Sequence, residues 1–381
     1  MFTLIKNGEI YAPNYRGKQD ILICMGKIVS INPDPGFVLE KFPNTVQVVE
    51  ADQMIIVPGF IDQHMHFLGG GGKLGYSSRA GNISYNDIVK FGVTTAIGSL
   101  GVDSYLKNLD ELLTRARELE SQGLSTYILT GGFLLPLKSI TGSVFNDLIY
   151  IDKVVGVGEI GISDAYGSQP VTEEIIRISA NTKVASAMSE KAGVIFIHIG
   201  PGQKGLNLIR EIINETDLSI KQFVVTHVNR SMKLLEEAAE FAKLGGRIDI
   251  TTGISPKLGI KKAIAPSKAI KYLIENGVSI DSITLTSDAG GFRVVDDNNQ
   301  GIDSVLLSSE TLLDTIVECV KDQKIDLSLV LKTITSNVAS IWNFKHKGII
   351  KPYVDADLVF LDNNLNIKRV MFKGKIVFTS D

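Results

Sequence analysis

The chain is 381 residues long and 44% hydrophobic, with a formal net charge of −3. That supplies apolar material for one large core and a smaller one. The near-neutral, scattered charge argues against nucleic acid or a membrane surface as a partner. No basic run exceeds pairs such as Lys261-Lys262, and no apolar run approaches the length of a membrane span. The start, MFTLIKNGEIYAP, is broken by Asn7-Gly8 and Pro13 and does not read as a signal peptide. Cys24 and Cys319 stand far apart without metal-ligand spacing, so both are expected as buried thiols of a reducing cytoplasm.

Residues 1 to about 54 read as short strands joined by tight turns. LIKNGEIY carries Asn7-Gly8 between apolar flanks, a hairpin signal, and DILICMGKIVSINP repeats the pattern around Gly26. The last residues return to it in ADLVFLD and RVMFKGKIVF, and Gly-Lys-Ile-Val occurs both at 26–29 and at 374–377. Two similar hairpins at opposite ends predict one small β domain, residues 1–54 with 346–381, into which the middle is inserted.

The middle, 55–345, alternates apolar runs with amphipathic segments. The predicted strands are IIVPGFID (55–62), TTAIGSLG (94–101), STYILTGG (125–132), VVGVGEIG (154–161), VIFIHIG (194–200), FVVTHVN (223–229), RIDITTG (247–253) and ITLTSDA (283–289). Helical patterns between them, such as 104–123, 173–193 and 231–246, end in glycine as helix C-termini often do. Eight strand–helix units predict an α/β fold, a (β/α)8 TIM-like barrel with its active site at the C-terminal strand ends. A doubly wound open sheet is the competing architecture, but its glycine-rich dinucleotide fingerprint is missing.

The five histidines give the barrel a chemistry. In FIDQHMH, strand alternation puts His64 and His66 on one face. Four glycines, Gly69 to Gly72, then let bare backbone pass close to whatever binds. His198 and His227 end predicted strands 5 and 6, Glu159 ends strand 4, and Asp288 ends strand 8; His346 lies beyond the barrel and reads as a surface residue. In a barrel the first six converge on one mouth. Four imidazoles and two carboxylates can hold two divalent ions. His64, His66 and Asp288 suit the more buried ion, His198 and His227 the second, with Glu159 bridging. Such a pair lowers the pKa of a shared water and polarises the carbonyl it attacks. Asp288 is then the general base, and the acid that protonates a leaving amine. These ligands suit zinc, but also manganese, iron or cobalt.

PGFIDQHMH, the strand-end His198 and His227, and Asp288 resemble the amidohydrolase superfamily. Over nearly the whole chain, HMHFLGGGG, GGFLLPLKSITGS, IDKVVGV, GISD, THVNR, GGRIDIT and KGIIKPYVDADLV are similar to bacterial isoaspartyl dipeptidases. The resemblance implies a barrel inserted in a small β-sandwich domain, two zinc ions per chain and a homo-oligomer. It also implies cleavage of the β-linked amide between an isoaspartyl residue and its neighbour.

Several positions depart from that family. Its bridging ligand is a carboxylated lysine; Glu159 stands there instead, with roughly 3.5 Å less reach. The run VVGVGE is one residue longer, so a bulge can push the carboxylate forward. The family glutamate that receives the substrate's amino group is here Lys73, its sign inverted. Phe133 replaces a tyrosine that polarises the scissile carbonyl, Tyr166 an arginine, and Phe292 a serine. Arg230, in THVNR, is retained and matches an arginine that binds a substrate carboxylate; Gly71, in the glycine run, is placed with these substrate-facing residues.

The sequence therefore predicts metal-dependent hydrolysis of an amide in a small, dipeptide-like molecule. Lys73 and Arg230 favour negative charge at both ends of that molecule, or an acylated amine, and Phe133 and Phe292 favour apolar walls. Deamination or opening of a cyclic amide keeps the fold and changes the reaction. A non-catalytic scaffold is the third reading, disfavoured because every histidine ligand and Asp288 is present.

Overall fold

The computed structural model describes residues 2–42, 45–296 and 302–380. Eight parallel strands run in sequence order around a nearly closed barrel. They are β1 (Phe60–Met65), β2 (Val93–Gly98), β3 (Ser125–Thr130), β4 (Val154–Ile162), β5 (Val194–Ile199), β6 (Phe223–Thr226), β7 (Arg247–Thr251) and β8 (Ile283–Thr286). The sheet's ends meet where Asp288 N donates to His64 O, His66 N donates to Ala289 O, and Ser287 Oγ donates to Asp62.

Helices separate the strands and cover the barrel. Asn108 caps Leu109–Gln122 by accepting from Glu111 N, and Gly123 closes it in left-handed backbone. Ser231 caps Met232–Lys243 in the same way. These caps trim the predicted 104–123 and 231–246 to their ordered turns; the predicted 173–193 is Thr172–Met188. Strands β6 and β8 also stop short of their predicted ends. His227 (φ 68) and Asp288 (φ 59) take left-handed backbone just past them, which turns the chain out of the ladder. Among the described residues, no helix is long and apolar enough to cross a membrane.

The first predicted strand is in fact two. Ile55–Pro58 pairs antiparallel with Leu358–Leu361 in the sheet of the chain ends, and Phe60–Met65 opens the barrel. Between them, a Cβ at Gly59 would lie 2.1 Å from Thr94 Oγ1, so only glycine passes.

Both chain ends build one second sheet, from Phe2–Tyr11, Tyr15–Cys24, Lys27–Ile31, Val46–Glu50, Ile55–Pro58, Leu358–Leu361, Ile367–Phe372 and Lys375–Thr379. A single apolar cluster containing Ile5, Ile21, Ile56, Phe360 and Met371 joins them. The two Gly-Lys-Ile-Val hairpins are present. Their turns, Met25-Gly26 and Lys373-Gly374, have positive φ throughout, as two-residue I′ loops require. They also touch: a Cβ at Gly26 would lie 3.2 Å from Lys373 Cβ.

Asn7-Gly8, in contrast, is not a hairpin turn. Phe2–Tyr11 runs through it as one strand with a register shift between Ile5 and Gly8, and Asn7 N donates to Asp20 Oδ1 at 2.8 Å. Pairing on both flanks holds the strand straight, so the local turn signal is absorbed as a bulge. Cys319 is buried as expected, whereas Cys24, ending a strand, is only partly so.

Candidate active site

The C-terminal ends of β1, β4, β5, β6 and β8 bring His64, His66, Glu159, His198, His227 and Asp288 together, all buried. Ligand-type atoms of His64, His66 and Asp288 lie within 4.8 Å of one another, as do those of His64, Glu159 and His227. Asp288 Oδ1 stands 3.0 Å from His66 Nε2 and 3.7 Å from His64 Nε2. Glu159 Oε2 is in direct contact with His64 Nε2. Its other oxygen, Oε1, is 2.9 Å from His198 Nδ1, which is 3.0 Å from His227 Nε2. Glu159 thus touches His64 with one oxygen and His198 with the other, His198 itself standing outside both groups.

Partners behind the rings decide which nitrogen faces inward. His66 Nδ1 donates to Ser99 O at 3.2 Å, and His227 Nδ1 faces Thr251 Oγ1 at 2.6 Å, leaving Nε2 of each for the centre. His198 is reversed: its Nε2 lies 3.2 Å from Asp164 Oδ2 and its Nδ1 points inward. Below them Asp249, on β7, accepts from Gln63, Thr226, Thr284 and Thr286 at 2.6–2.9 Å. One buried carboxylate therefore ties β1, β6 and β8 beneath the site.

Glu159 reaches the centre through a bulge. The register between β4 and β5 passes from Val157 opposite Ile195 to Ile160 opposite Ile197, so Gly158 and Glu159 together face Phe196. Gly158 has φ +143, and a Cβ there would lie 2.5 Å from Phe196 O. Only glycine permits this approach.

Electrostatics and hydrogen bonding both favour a cation here. Burial works against a charge on His64, but Glu159 and Asp288 outweigh it and hold its pKa up at about 9. Burial likewise opposes ionisation of Glu159, yet His64 and His198 draw it well below the usual carboxylate range. His64 Nε2 and Glu159 Oε2 meet each other in the buried centre and have no further hydrogen-bond partner. Coordination to a cation would give both atoms a further partner. Imidazole nitrogens and carboxylate oxygens are the donor set of zinc and its neighbours. The residues fit a divalent metal.

A chamber of about 310 Å3 opens beside them, lined by Lys73, Gly71, Phe133, Arg230 and Phe292 as well as His66, Glu159, His198 and Asp288. Lys73 turns inward. Its Nζ is 3.7 Å from Asp164 Oδ2, 4.6 Å from the Tyr166 ring centre and 5.8 Å from that of Phe133. Tyr166, expected on the chamber wall, is instead half-exposed behind Lys73 and outside the lining. Phe133 meets His198 edge-on, with ring centres 4.7 Å apart. Arg230 ends a short helical turn after His227; its Nε donates to Ile199 O at 2.8 Å and its Nη2 is 3.2 Å from His198 Nε2. Gly71 (φ +108) could carry no side chain, since a Cβ would lie 2.3 Å from Ser78 O and 2.7 Å from Phe292 Cβ. Behind the glycine run, Lys107 donates to Gly69 O and pairs with Asp103 at 2.8 Å.

Sequence reasoning missed Asp164, Asp249 and Lys107. Asp164 carried a signal: it ends GISD, five residues past Glu159. Burial opposes its ionisation, but His198 and Lys73 outweigh that and hold its carboxyl below the usual range. Asp249 stands within GGRIDIT but nothing there marks its role, Lys107 sits in no motif, and only the fold reveals what they do. His346 is exposed and takes no part.

A barrel with imidazoles and carboxylates gathered at its C-terminal mouth defines a barrel hydrolase whose residues can hold metal. Residues 55–377 match the Amidohydrolase family, and the chain belongs to that family. Among solved structures it is similar to the β-aspartyl dipeptidase of Fervidobacterium islandicum AW-1 in complex with a β-Asp-Leu dipeptide. Identity is 35% and the TM-score 0.90, over 100% of this chain and 97% of that one. A curated dihydroorotase of Lactobacillus johnsonii is 24% identical over 100% of this chain and 94% of its own length. Adenine deaminase 1 of Latilactobacillus sakei is 24% identical over 99% of this chain and 57% of its own length.

Proposed function

We propose that the chain is a metal-dependent amidohydrolase that cleaves a side-chain-linked amide of the isoaspartyl (β-aspartyl) type. The observation that carries this reading is Asp288. Its carboxylate lies 3.0 Å from His66 Nε2 and lines the same chamber as Arg230. His64, His66 and Asp288 would hold one divalent ion, and His198 and His227 a second, with Glu159 giving one oxygen to each. Zinc is the first choice. Ions held there would supply an acidified water and polarise the amide carbonyl. Asp288 takes the proton of the attacking water and hands it to the departing amine. Arg230, braced by Ile199 O, binds a substrate carboxylate. Phe133 and Phe292 wall the reacting amide from water; Phe133 has no hydroxyl with which to polarise the carbonyl. The two free cysteines agree with a reducing cytoplasm.

Lys73 favours a modified form of this substrate. A free ammonium beside it is repelled, whereas an acylated amine or a second anionic group is not. Cyclic-amide opening and deamination, which the relatives' names bring in, are separated by products. Hydrolysis of an isoaspartyl amide yields an aspartyl product and a free amino acid in equal amounts. Ring opening yields a single product and deamination yields ammonia; finding either in place of two amino-acid products would overturn the proposal.

A further inference from the structure

A second cavity adjoins the chamber at Arg230. Pro201, Arg230 and Ile260 line both, and the second, at about 470 Å3, is larger than the 310 Å3 chamber. Each falls in the roughly 300–1,000 Å3 range of small-molecule sites. The reaction proposed above uses only the first.

We propose that the second cavity is a subsite on the leaving-group side, accepting a peptide extension that carries a carboxylate. The inference rests on the amide-hydrolase reading and extends its substrate beyond a dipeptide. Three features carry it. Arg230 is a fixed post and not a swinging gate, because its Nε is bonded to Ile199 O at 2.8 Å. A chain leaving the scissile amide towards Arg230 therefore passes along it into the second cavity. The lining there holds Arg230, Lys233, Lys261 and Lys262 against one carboxylate, Glu237, among the described residues. Glu237 is already engaged: it accepts from Leu206 N at 3.2 Å and lies 3.9 Å from Lys233 Nζ. Leu234, Pro201 and Ile260 supply the apolar part of the lining that a peptide backbone and side chain rest on. Cations over such a floor select an acidic extension and disfavour a basic one.

The test is calorimetric binding of product-side peptides to the metal-loaded full chain, which needs no turnover. Leucine, Leu-Ala, Leu-Glu and Leu-Lys are compared. Leu-Glu is expected to bind at least about tenfold tighter than leucine, a difference of about 1.4 kcal/mol, with Leu-Lys weaker than Leu-Ala. A Lys261→Ala, Lys262→Ala double variant is expected to bring Leu-Glu down to the affinity of Leu-Ala. Equal affinity for leucine and Leu-Glu, absence of Leu-Glu binding, or indifference to the double variant each overturns the subsite. Comparing β-Asp-Leu with β-Asp-Leu-Glu as substrates separates the two claims. Turnover of the dipeptide without gain for the longer compound sinks the subsite and leaves the reaction standing. Preference for Leu-Glu in a protein that cleaves neither compound sinks the reaction and leaves the subsite.

Discussion

Asp164 Oδ2 lies 3.2 Å from His198 Nε2 and fixes the ring whose other nitrogen is turned to Glu159. A carboxylate behind a ligating histidine sets its tautomer and raises its basicity, and losing such a partner costs about 10–100-fold in metal affinity or activity. Asp164→Ala is expected to fall in that range, with metal lost first from the His198–His227 side. Asp164→Asn, which can still accept from Nε2, should keep more. Metal content per chain, measured beside the hydrolytic rate, checks both. Full metal and full rate in Asp164→Ala would mean that the contact is only structural.

Lys73 shares the same carboxylate, 3.7 Å away, and faces the chamber. Replacing it by glutamate inverts the charge that meets the substrate's amine. Lys73→Glu is expected to raise kcat/KM for β-aspartyl-leucine and lower it for the N-acetyl compound. A relative swing of about tenfold or more corresponds to at least about 1.4 kcal/mol. Lys73→Met removes the charge without setting two carboxylates together, and should show half of the effect. Equal response of both substrates would mean that Lys73 does not read the amine.

The bulge in β4 is expected to have no tolerance for a side chain at residue 158. The left-handed backbone and the 2.5 Å approach to Phe196 O act together in Gly158→Ala. A loss of about 3 kcal/mol is expected in denaturant unfolding, with metal binding weakened because Glu159 is displaced. Gly81→Ala is the control, since nothing lies within 4 Å of its Cβ and its φ is ordinary. Similar stability of the two variants would show that the strand relaxes around the methyl.

Metal removal is expected to destabilise the fold as well as stop the reaction. Without a cation, His64 Nε2 and Glu159 Oε2 are left in the buried centre with only each other as partners. A ligand at a thousand times its Kd stabilises by about 4 kcal/mol, so chelation should lower Tm and zinc should restore it. A Tm indifferent to chelator in demonstrably metal-free protein would count against these residues as ligands.

The convergence of six imidazole and carboxylate residues was legible because strand alternation and the barrel's one-sided mouth are local rules that propagate. They placed His64 and His66 on one face and put Glu159, His198, His227 and Asp288 at strand ends. Elsewhere the local signal lost to long-range pairing. Asn7-Gly8 signals a turn in isolation, but its flanks are already paired, so it became a bulge in Phe2–Tyr11. IIVPGFID reads as one strand, but its halves belong to two sheets whose partners lie some 300 residues apart and next door. Lys73 follows four glycines, whose freedom leaves direction unstated, and Asp164 and Tyr166 fall in a loop whose course only packing settles.

The most direct measurement is leucine release from β-aspartyl-leucine and N-acetyl-β-aspartyl-leucine by the zinc-loaded chain, beside chelator-treated protein and Asp288→Asn. Release that vanishes with chelator, falls by about 10²–10⁴-fold in the variant and favours the acetylated compound is the expected result. A protein that holds its metal yet frees no leucine from either compound would contradict amide hydrolysis at this site.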